Sequence, residues 1–376
     1  QAFKKIESAI SSGDRSLWFH CASLGEYEQG LPVFEEIKKD HPDHKIVLSF
    51  FSPSGYEIKK DSSIADVVLY LPLDTPANAN KLVNMIQPSL TVFVKNEIWP
   101  NYLKALKNKG IKTLLISANF RKDEIHFKWY GGLMRKSLRA FSHIFVQDED
   151  SKTNLKSVGL NDVTISGDTR FDRVNDQLKI DNHVPRIDEF KGDKLCLVAG
   201  STWPEGEALI TKYINSTSID IKFIIAPHNI NNKQINQLSN NIKVKSILYS
   251  GIDGKDLSDF NVLIIDCIGL LSKLYSFADI AYVGGALGKT GLHNTLEPAI
   301  FKVPIVVGTN HEKFPEARNM IAKGGMFEIS NPGSLENIFN ELAENESFRK
   351  KAGEKNLEYI KENQGAVVRI MDYIRK

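Results

Sequence analysis

Short apolar runs alternate with segments of helical periodicity along almost the whole chain. The runs lack the polar alternation of a half-exposed strand, so they predict strands covered on both faces, as in a parallel sheet. In the first half they are residues 17–21, 45–51, 67–71, 90–95, 112–117, 143–146 and 163–165. In the second half they are residues 194–199, 222–226, 244–248, 262–265, 280–283 and 303–307.

This repetition predicts an α/β fold with two doubly wound parallel sheets. The polar segment 172–194 separates the two sets of runs, and we place the hinge there. The predicted domains are residues 1–176 and 177–376. Residues 334–376 predict two helices rich in Lys and Glu, and the last one, about residues 360–376, could pack back on the first domain.

Composition and charge exclude some classes of function and leave the predicted fold unchanged. The 376 residues carry a net charge of +2, which gives no bulk electrostatic case for binding nucleic acid. Cys21, Cys196 and Cys267 lie in apolar runs at wide spacing, which favours buried thiols in a reducing compartment over disulfides or a metal site. This cysteine pattern predicts the cytosolic face. No apolar run approaches the ~20 residues that span a bilayer.

The stretch 280–316 contains the main group of candidate ligand-binding residues. An apolar run ends in Gly284 and Gly285, a glycine-spaced loop leads to a short helix, and a second run closes a β-α-β unit. Glycines before a helix start let a phosphate approach unpaired backbone N–H groups, and Glu297 could accept hydrogen bonds from a ribose diol. These features indicate a nucleotide site. The alternative is a plain turn, with Glu297 only favouring the helix dipole.

Small polar residues and acids come after the strands of the first half, where a parallel sheet binds its ligands. After the first strand, Ser23 could cap a helix whose first turn places Glu26 towards the cleft; the alternative is a capping box, in which the acid only satisfies the helix start. Ser54 and Gly55 follow the second strand. Glu97 and Trp99 follow the fourth strand and could bind a sugar, although a core Trp is equally plausible.

Residues 119–141 differ from their surroundings because they hold six basic residues against two acids. Tyr130, Leu133, Met134, Leu138 and Phe141 recur there at helical spacing, so one face is apolar and another is cationic. The pattern is typical of a segment on an anionic membrane or at an anionic acceptor, and equally of a solvated surface helix.

Two further strand ends in the second half carry candidate groups. Gly200, Ser201 and Thr202 offer backbone and hydroxyl donors suited to a phosphate, and the alternative is a helix cap. His228 comes after the next strand; a lone His is often structural, yet this one lies in the same domain as the glycine loop.

In their order, these motifs resemble those of the Kdo transferases of lipopolysaccharide synthesis, which move 3-deoxy-manno-octulosonic acid (Kdo) from CMP-Kdo to lipid A precursors. The matching stretches are residues 22–26, 52–55, 96–100, 167–172, 199–202 and 284–298. The resemblance implies a GT-B glycosyltransferase: two Rossmann-like domains facing across a cleft, the acceptor on the first, the nucleotide sugar on the second, and no metal or other cofactor.

Carried over position by position, the resemblance assigns roles to single residues. Glu26 becomes the general base of an inverting single displacement. The donor residues are Ser201, Thr202, His228, Gly285, Asn294 and Glu297. The acceptor residues are Ser54, Gly55, Glu97, Trp99 and Arg121. The acceptor would be of the lipid IVA type.

The resemblance also implies a place in the cell. Arg121 and the basic face beyond it would meet lipid phosphates and the anionic bilayer. We therefore expect the cytoplasmic face of the bacterial inner membrane, reached peripherally or through the hydrophobic N-terminal anchor that many members carry. No nucleic-acid partner is expected.

Several positions depart from the common pattern of that family. Trp203 stands where a His is usual, His228 follows Pro227 directly where the family has Pro-Arg-His, and Leu292 replaces the second Gly of Gly-Gly-His-Asn. Arg170 ends a stretch that is usually Gly-Asn-x-Lys. Two other functions stay open: a GT-B enzyme that uses a UDP-sugar, and a non-catalytic nucleotide-binding protein at a membrane surface.

Overall fold

A computed structural model of the chain describes residues 2–376. The chain divides into two compact units. The first holds the chain up to Arg173 together with Asn363–Lys376, and the second is Val174–Glu362. Each unit is built around one seven-stranded sheet in which neighbouring strands are parallel.

The first sheet has the strand order β3-β2-β1-β4-β5-β6-β7. Its strands are β1 Ser16–Cys21, β2 Lys45–Phe50, β3 Val67–Tyr70, β4 Pro88–Val94, β5 Lys112–Ala118, β6 His143–Val146 and β7 Val163–Ile165. Its helices are α1 Ala2–Ala9, α2 Leu24–Asp40, α3 Pro53–Lys59, α4 Pro76–Ile86, α5 Pro100–Asn108, α6 Gly132–Leu138 and α7 Glu149–Lys156.

The second sheet has the order β10-β11-β9-β8-β12-β13-β14, the same topology. Its strands are β8 Leu195–Thr202, β9 Ile221–Pro227, β10 Ser246–Leu248, β11 Val262–Ile264, β12 Ile280–Val283, β13 Ile305–Gly308 and β14 Met326–Ile329. Helices in this half are α8 Arg170–Asn175, α9 Ile187–Lys191, α10 Pro204–Ser216, α11 Asn232–Asn241, α12 Leu271–Leu274, α13 Leu296–Ile300, α14 Pro315–Lys323, α15 Pro332–Glu344 and α16 Glu346–Asn363. The chain ends with α17 Ala366–Ile374.

Burial explains why these runs become parallel strands. In β1, Leu17 and Phe19 belong to one apolar cluster and Trp18 belongs to another, so both faces of the strand are covered. Helices supply the covering side chains, such as Phe34 of α2 on one face and Leu82 of α4 on the other. Apolar area removed from water on two faces stabilises each strand without any polar alternation.

Polar contacts tie α17 to the first unit. The carboxylate of Asp172 accepts hydrogen bonds from the backbone N–H groups of Gly365 and Ala366, at 2.8 and 2.9 Å, and so caps the helix start. Arg369 Nε donates to Ser166 O at 2.8 Å. The motif at residues 167–172 therefore holds the last helix in place.

Every apolar run predicted as a strand is a strand in the structure. Two other expectations were wrong, and one strand was missed. β14, a four-residue strand behind two glycines, was missed; residues 334–376 hold three helices rather than two; and Cys267 is exposed, because β11 ends three residues before it. Among residues 2–376, no helix is both long and apolar enough to cross a bilayer.

Candidate functional site

Glu26 lies in the first turn of α2, directly after the carboxyl end of β1. Its Oε2 accepts a hydrogen bond from the Ala22 backbone N–H at 2.5 Å. The side chain of Ser23, the N-cap residue, makes no cap hydrogen bond. The backbone N–H of Ser23 also hydrogen-bonds to the Glu26 carboxylate, so the reciprocal capping box that sequence left open is only half formed.

Burial and the negative charge of Glu97 raise the pKa of Glu26 to about 7, although hydrogen bonding from the Ala22 backbone opposes the rise. A carboxyl group with this pKa is about half ionised at neutral pH. Such a group can accept a proton far more readily than an ordinary solvated carboxylate with a pKa near 4. Perturbed carboxyl groups of this kind cluster at functional sites.

Glu97 is held by its neighbours. Its Oε2 accepts a hydrogen bond from Trp99 Nε1 at 2.8 Å and lies 3.1 Å from His20 Nε2. On the other side of the imidazole, His20 Nδ1 lies 2.8 Å from Ser49 Oγ. Ser49 Oγ accepts from Trp18 Nε1, and its own proton has two acceptors within reach, Phe19 O at 3.4 Å and His20 Nδ1 at 2.8 Å. With the Ser49 proton on the nearer acceptor, the His20 proton lies on Nε2 and points at Glu97. The network fixes the Glu97 carboxylate beside Glu26.

Sequence reasoning found Glu26, Glu97 and Trp99 but missed His20 and Ser49. Both residues lie inside the apolar runs of β1 and β2 and are fully buried, so the pattern of these runs does not set them apart from core positions. A buried polar side chain needs a partner, and a His and a Ser in adjacent central strands were the available signal.

The remaining acceptor residues have structural surroundings. Ser54 is exposed in the first turn of α3, and its hydroxyl lies 3.0 Å from that of the N-cap residue Ser52. Gly55 is buried, and a Cβ there would lie 2.3 Å from the Phe50 ring. Arg121 is exposed and pairs with Asp123 at 3.4 Å. Their assignment to the acceptor stays a prediction.

The basic segment 119–141 is not one long helix. It forms a single 3₁₀ turn, Ile125–Phe127, and then the short helix α6. Its apolar positions divide: Leu138 is buried in the core, whereas Trp129 is 90% and Leu133 66% exposed. Arg135 donates to the backbone carbonyl of Lys128 at 2.7 Å and so braces the loop. The buried Leu138 fits a helix packed on the core, and the membrane interpretation of the exposed positions stays a prediction.

In the second unit, the ends of β8 and β12 approach each other closely. Ser201 has a φ of +50°, a conformation that costs energy for a residue with a side chain and is found mostly at functional sites. A Cβ on Gly284 would lie 2.1 Å from Ser201 O, so only glycine fits there. Gly285 has a φ of +97°. The hydroxyl of Thr202 donates to Glu207 at 2.8 Å and is already engaged.

Asn294 and Glu297 form the entry to α13. Asn294 Oδ1 accepts from the Leu296 backbone N–H at 3.1 Å, and Asn294 Nδ2 donates to Glu297 Oε1 at 3.0 Å. The structure thus brings together these two predicted donor residues. Their pairing orients the Glu297 carboxylate at the helix start.

Three rings stand at the ends of three adjacent strands in this unit. Trp203 follows β8, His228 follows β9, and His293 lies in the loop after β12. Trp203 Nε1 donates to His293 Nε2 at 2.9 Å, and His228 stacks on Trp203 at a centroid distance of 4.8 Å. Of these, the sequence predicts only His228 as a donor residue. Trp203 and His293 lie in the stretches 199–207 and 284–298, and the sequence assigns neither of them a role.

Comparison with known proteins shows which proteins this chain is similar to. Residues 1–173 match the family model described as 3-deoxy-D-manno-octulosonic-acid transferase (kdotransferase). The 3-deoxy-D-manno-octulosonic acid transferase of Haemophilus influenzae is 29% identical over 96% of this chain and 87% of its own length. The protein of the same name from Aquifex aeolicus is 28% identical over 87% of this chain and 86% of its own length.

Solved structures agree on the fold. The UDP-GlcNAc 2-epimerase from Neisseria meningitidis bound to UDP-GlcNAc superimposes with a TM-score of 0.69, at 16% identity, over 96% of this chain and all (100%) of that one. A likeness at this identity shows the fold alone. Together with the two parallel seven-stranded sheets, it confirms the GT-B fold that sequence predicted.

Proposed function

We propose that this chain, a member of the Kdo transferase family, moves Kdo from CMP-Kdo to a lipid A precursor of the lipid IVA type, with Glu26 as the general base. Membership of the family supports the transfer of a Kdo residue. The donor, the acceptor and the role of Glu26 are the proposal. The observation that carries the role of Glu26 is its half-buried carboxyl group at a strand end, with a pKa of about 7.

The proposed reaction is a single displacement with inversion. Glu26 takes the proton of the acceptor hydroxyl while that oxygen forms a bond to the anomeric carbon of Kdo. The bond between the anomeric carbon and the phosphate oxygen breaks in the same step, and CMP leaves with the electron pair. A hydroxyl has a pKa far above neutral, so a positioned base contributes roughly 10²–10⁴-fold to the rate.

The second unit would hold the donor. The backbone N–H of Gly284 already donates to Gly200 O at 3.0 Å, so the N–H groups proposed for the donor are those of Gly285, Ser201 and the start of α10, which comes soon after Ser201. Fixed N–H dipoles stabilise the negative charge that grows on a leaving phosphate. Glu297, oriented by Asn294, would accept hydrogen bonds from the ribose. In this proposal the reaction proceeds without a metal ion.

The exposed part of the basic segment 119–141 would contact the cytoplasmic face of the bacterial inner membrane. Ile125, Trp129, Tyr130 and Leu133 are 47%, 90%, 59% and 66% exposed within nine residues, and Lys122 and Lys136 are exposed beside them. Clustered large apolar side chains with basic neighbours suit the interface of an anionic bilayer. A lipid acceptor would be collected from that interface.

The direct test combines a product assay with nucleotide selectivity. The chain is incubated with freshly generated CMP-Kdo and a tetraacylated lipid A precursor, and mass spectrometry should show a product heavier by one or more Kdo residues. In parallel, CMP should raise the melting temperature more than UDP at equal concentration. Protection by UDP alone, with no Kdo product, would instead favour a UDP-sugar enzyme of the same fold.

A further inference from the structure

Trp203 and His293 lie edge to edge in nearly one plane. Their ring planes differ by 12° and their centroids are 6.3 Å apart, while the Trp203 Nε1 to His293 Nε2 distance is 2.9 Å. His228 covers both, with centroid distances of 4.8 Å to Trp203 and 4.4 Å to His293. The in-plane hydrogen bond and the covering ring fix the position of the imidazole.

The hydrogen bond also fixes the tautomer of His293. An indole N–H can only donate, so His293 Nε2 must accept and the imidazole proton must lie on Nδ1. Burial and the charge of His228 lower the pKa of His293 to about 4. At neutral pH the ring is therefore an uncharged N–H donor of known orientation.

The surroundings of His293 indicate an anion as the ligand. Its backbone N–H donates to Gly284 O at 3.2 Å, and a Cβ on Gly285 would lie 3.0 Å from His293 Cδ2. Asn294, which orients Glu297, is the next residue. Within residues 2–376, His293 Nδ1 has no hydrogen-bond partner. A fixed donor without a partner therefore lies among the glycines and the acid that would receive a nucleotide.

We infer that Trp203 is a positioning residue that locks His293 as a neutral Nδ1–H donor to an oxyanion of the bound nucleotide sugar. This inference rests on the proposed function, because it needs an anionic donor substrate in the second unit. Two oxyanions of CMP-Kdo share the required chemistry: the phosphate of CMP and the carboxylate of Kdo. An uncharged donor keeps its hydrogen bond throughout the neutral pH range, since the imidazole does not titrate there.

The test uses three single variants in the full chain. Trp203→Phe keeps an aromatic ring beneath His228 but removes the N–H. His293→Asn keeps an N–H donor near the place of Nδ1, whereas His293→Gln places its amide near Nε2. We expect Trp203→Phe and His293→Gln to weaken ligand binding about tenfold, and His293→Asn to bind within about threefold of wild type. Isothermal titration measures the affinities.

Two arms separate the two oxyanions. If the losses appear with CMP alone, the ligand group is the phosphate. If they appear only with CMP-Kdo, it is the carboxylate. A ¹⁵N NMR spectrum of the histidine rings reports the tautomer directly: His293 should carry its proton on Nδ1 in wild type and become a mixture in Trp203→Phe.

The contrary outcomes are distinct. Equal affinity of wild type and Trp203→Phe for both ligands, or equal affinity of His293→Gln and His293→Asn, would overturn the inference and leave the proposed function intact. Binding of neither CMP nor CMP-Kdo by wild type would overturn both. In the His293→Asn background, Trp203→Phe should have no further effect; a further tenfold loss there would show that Trp203 acts by another route.

Discussion

The two units share one sheet topology and differ in the residues at the carboxyl ends of their strands. In the first unit, the ends of β1 and β4 carry two carboxylates, Glu26 and Glu97, close enough for the charge of one to raise the pKa of the other. In the second unit, the ends of β8 and β12 carry glycines, Ser201 and a ring, His293, that is uncharged at neutral pH. The same scaffold thus supports two kinds of chemistry.

The two proposed tasks explain this difference. A proton acceptor needs a carboxyl group whose ionised form is disfavoured, which burial and a like charge provide. A site for an anion needs N–H groups that point at the ligand. The comparison therefore predicts that changes in the first unit affect turnover and changes in the second affect donor binding.

The largest expected effect is that of Glu26→Gln. Removing the proton acceptor should lower kcat by roughly 10²–10⁴-fold while CMP affinity stays unchanged, because CMP would bind to the second unit. Mass spectrometry measures turnover, and titration measures CMP binding. The matched control is Glu35→Gln, an exposed acid on the same helix, which should behave as wild type. Near-normal turnover by Glu26→Gln would contradict the role of Glu26 as the general base.

Gly284→Ala should give the converse result. The added Cβ would lie 2.1 Å from Ser201 O, so the backbone must shift, and we expect CMP affinity to fall at least about tenfold. Gly251→Ala is the control, because a Cβ there meets no atom within 4 Å and the residue has no positive φ. If Gly284→Ala bound CMP normally, the strand ends of the second unit would not be the donor site.

Vesicle binding extends the comparison to the surfaces of the units. Replacing both Trp129 and Leu133 by Ser should weaken binding to phosphatidylglycerol-rich vesicles about tenfold, since two large exposed apolar side chains are lost. Leu73→Ser, which changes a side chain that is 74% exposed in the same unit, should leave binding unchanged. Co-sedimentation measures the bound fraction. Equal losses in the two variants would mean that the segment has no special role.

The pH profile tests the coupling between the two acids. Glu26 must be ionised to accept a proton, so kcat/KM should rise with pH and level off above about 7. Glu97→Gln removes the charge that raises the Glu26 pKa, so its profile, scaled to its own plateau, should reach half its maximum at a lower pH. An unshifted midpoint would mean that burial alone sets the pKa of Glu26.

The smallest expected effect is the change in melting temperature caused by the ionisation of Glu26. Because the folded-state pKa of Glu26 lies above its unfolded value of about 4.5, the folded chain holds this proton more tightly, and ionising the group destabilises the fold as pH rises from about 4.5 to about 7. Glu26→Gln should therefore melt a few degrees higher than wild type at pH 8 and at nearly the same temperature at pH 4.5. The opposite order would contradict the raised pKa.

Sequence alone was enough to predict the fold class. The apolar runs that form β1 and β8 are buried on both faces. Such a strand can be recognised from its sequence because it stays apolar whichever helices cover it. Sequence also showed which residues come after the strands, and so selected Glu26, Glu97 and the glycines after β12. β14 escaped because four residues with a half-exposed pattern leave too weak a signal.

The interactions among these groups became visible only in the folded chain. The bond of His20 to Glu97 joins residues 77 positions apart, and that of Trp203 to His293 joins residues 90 apart. Hydrogen bonds and pKa values depend on distances of a few ångströms, and parallel strands bring together residues that no local pattern connects. The sequence thus names the residues at the strand ends, and the packing of the sheets selects which of them become partners.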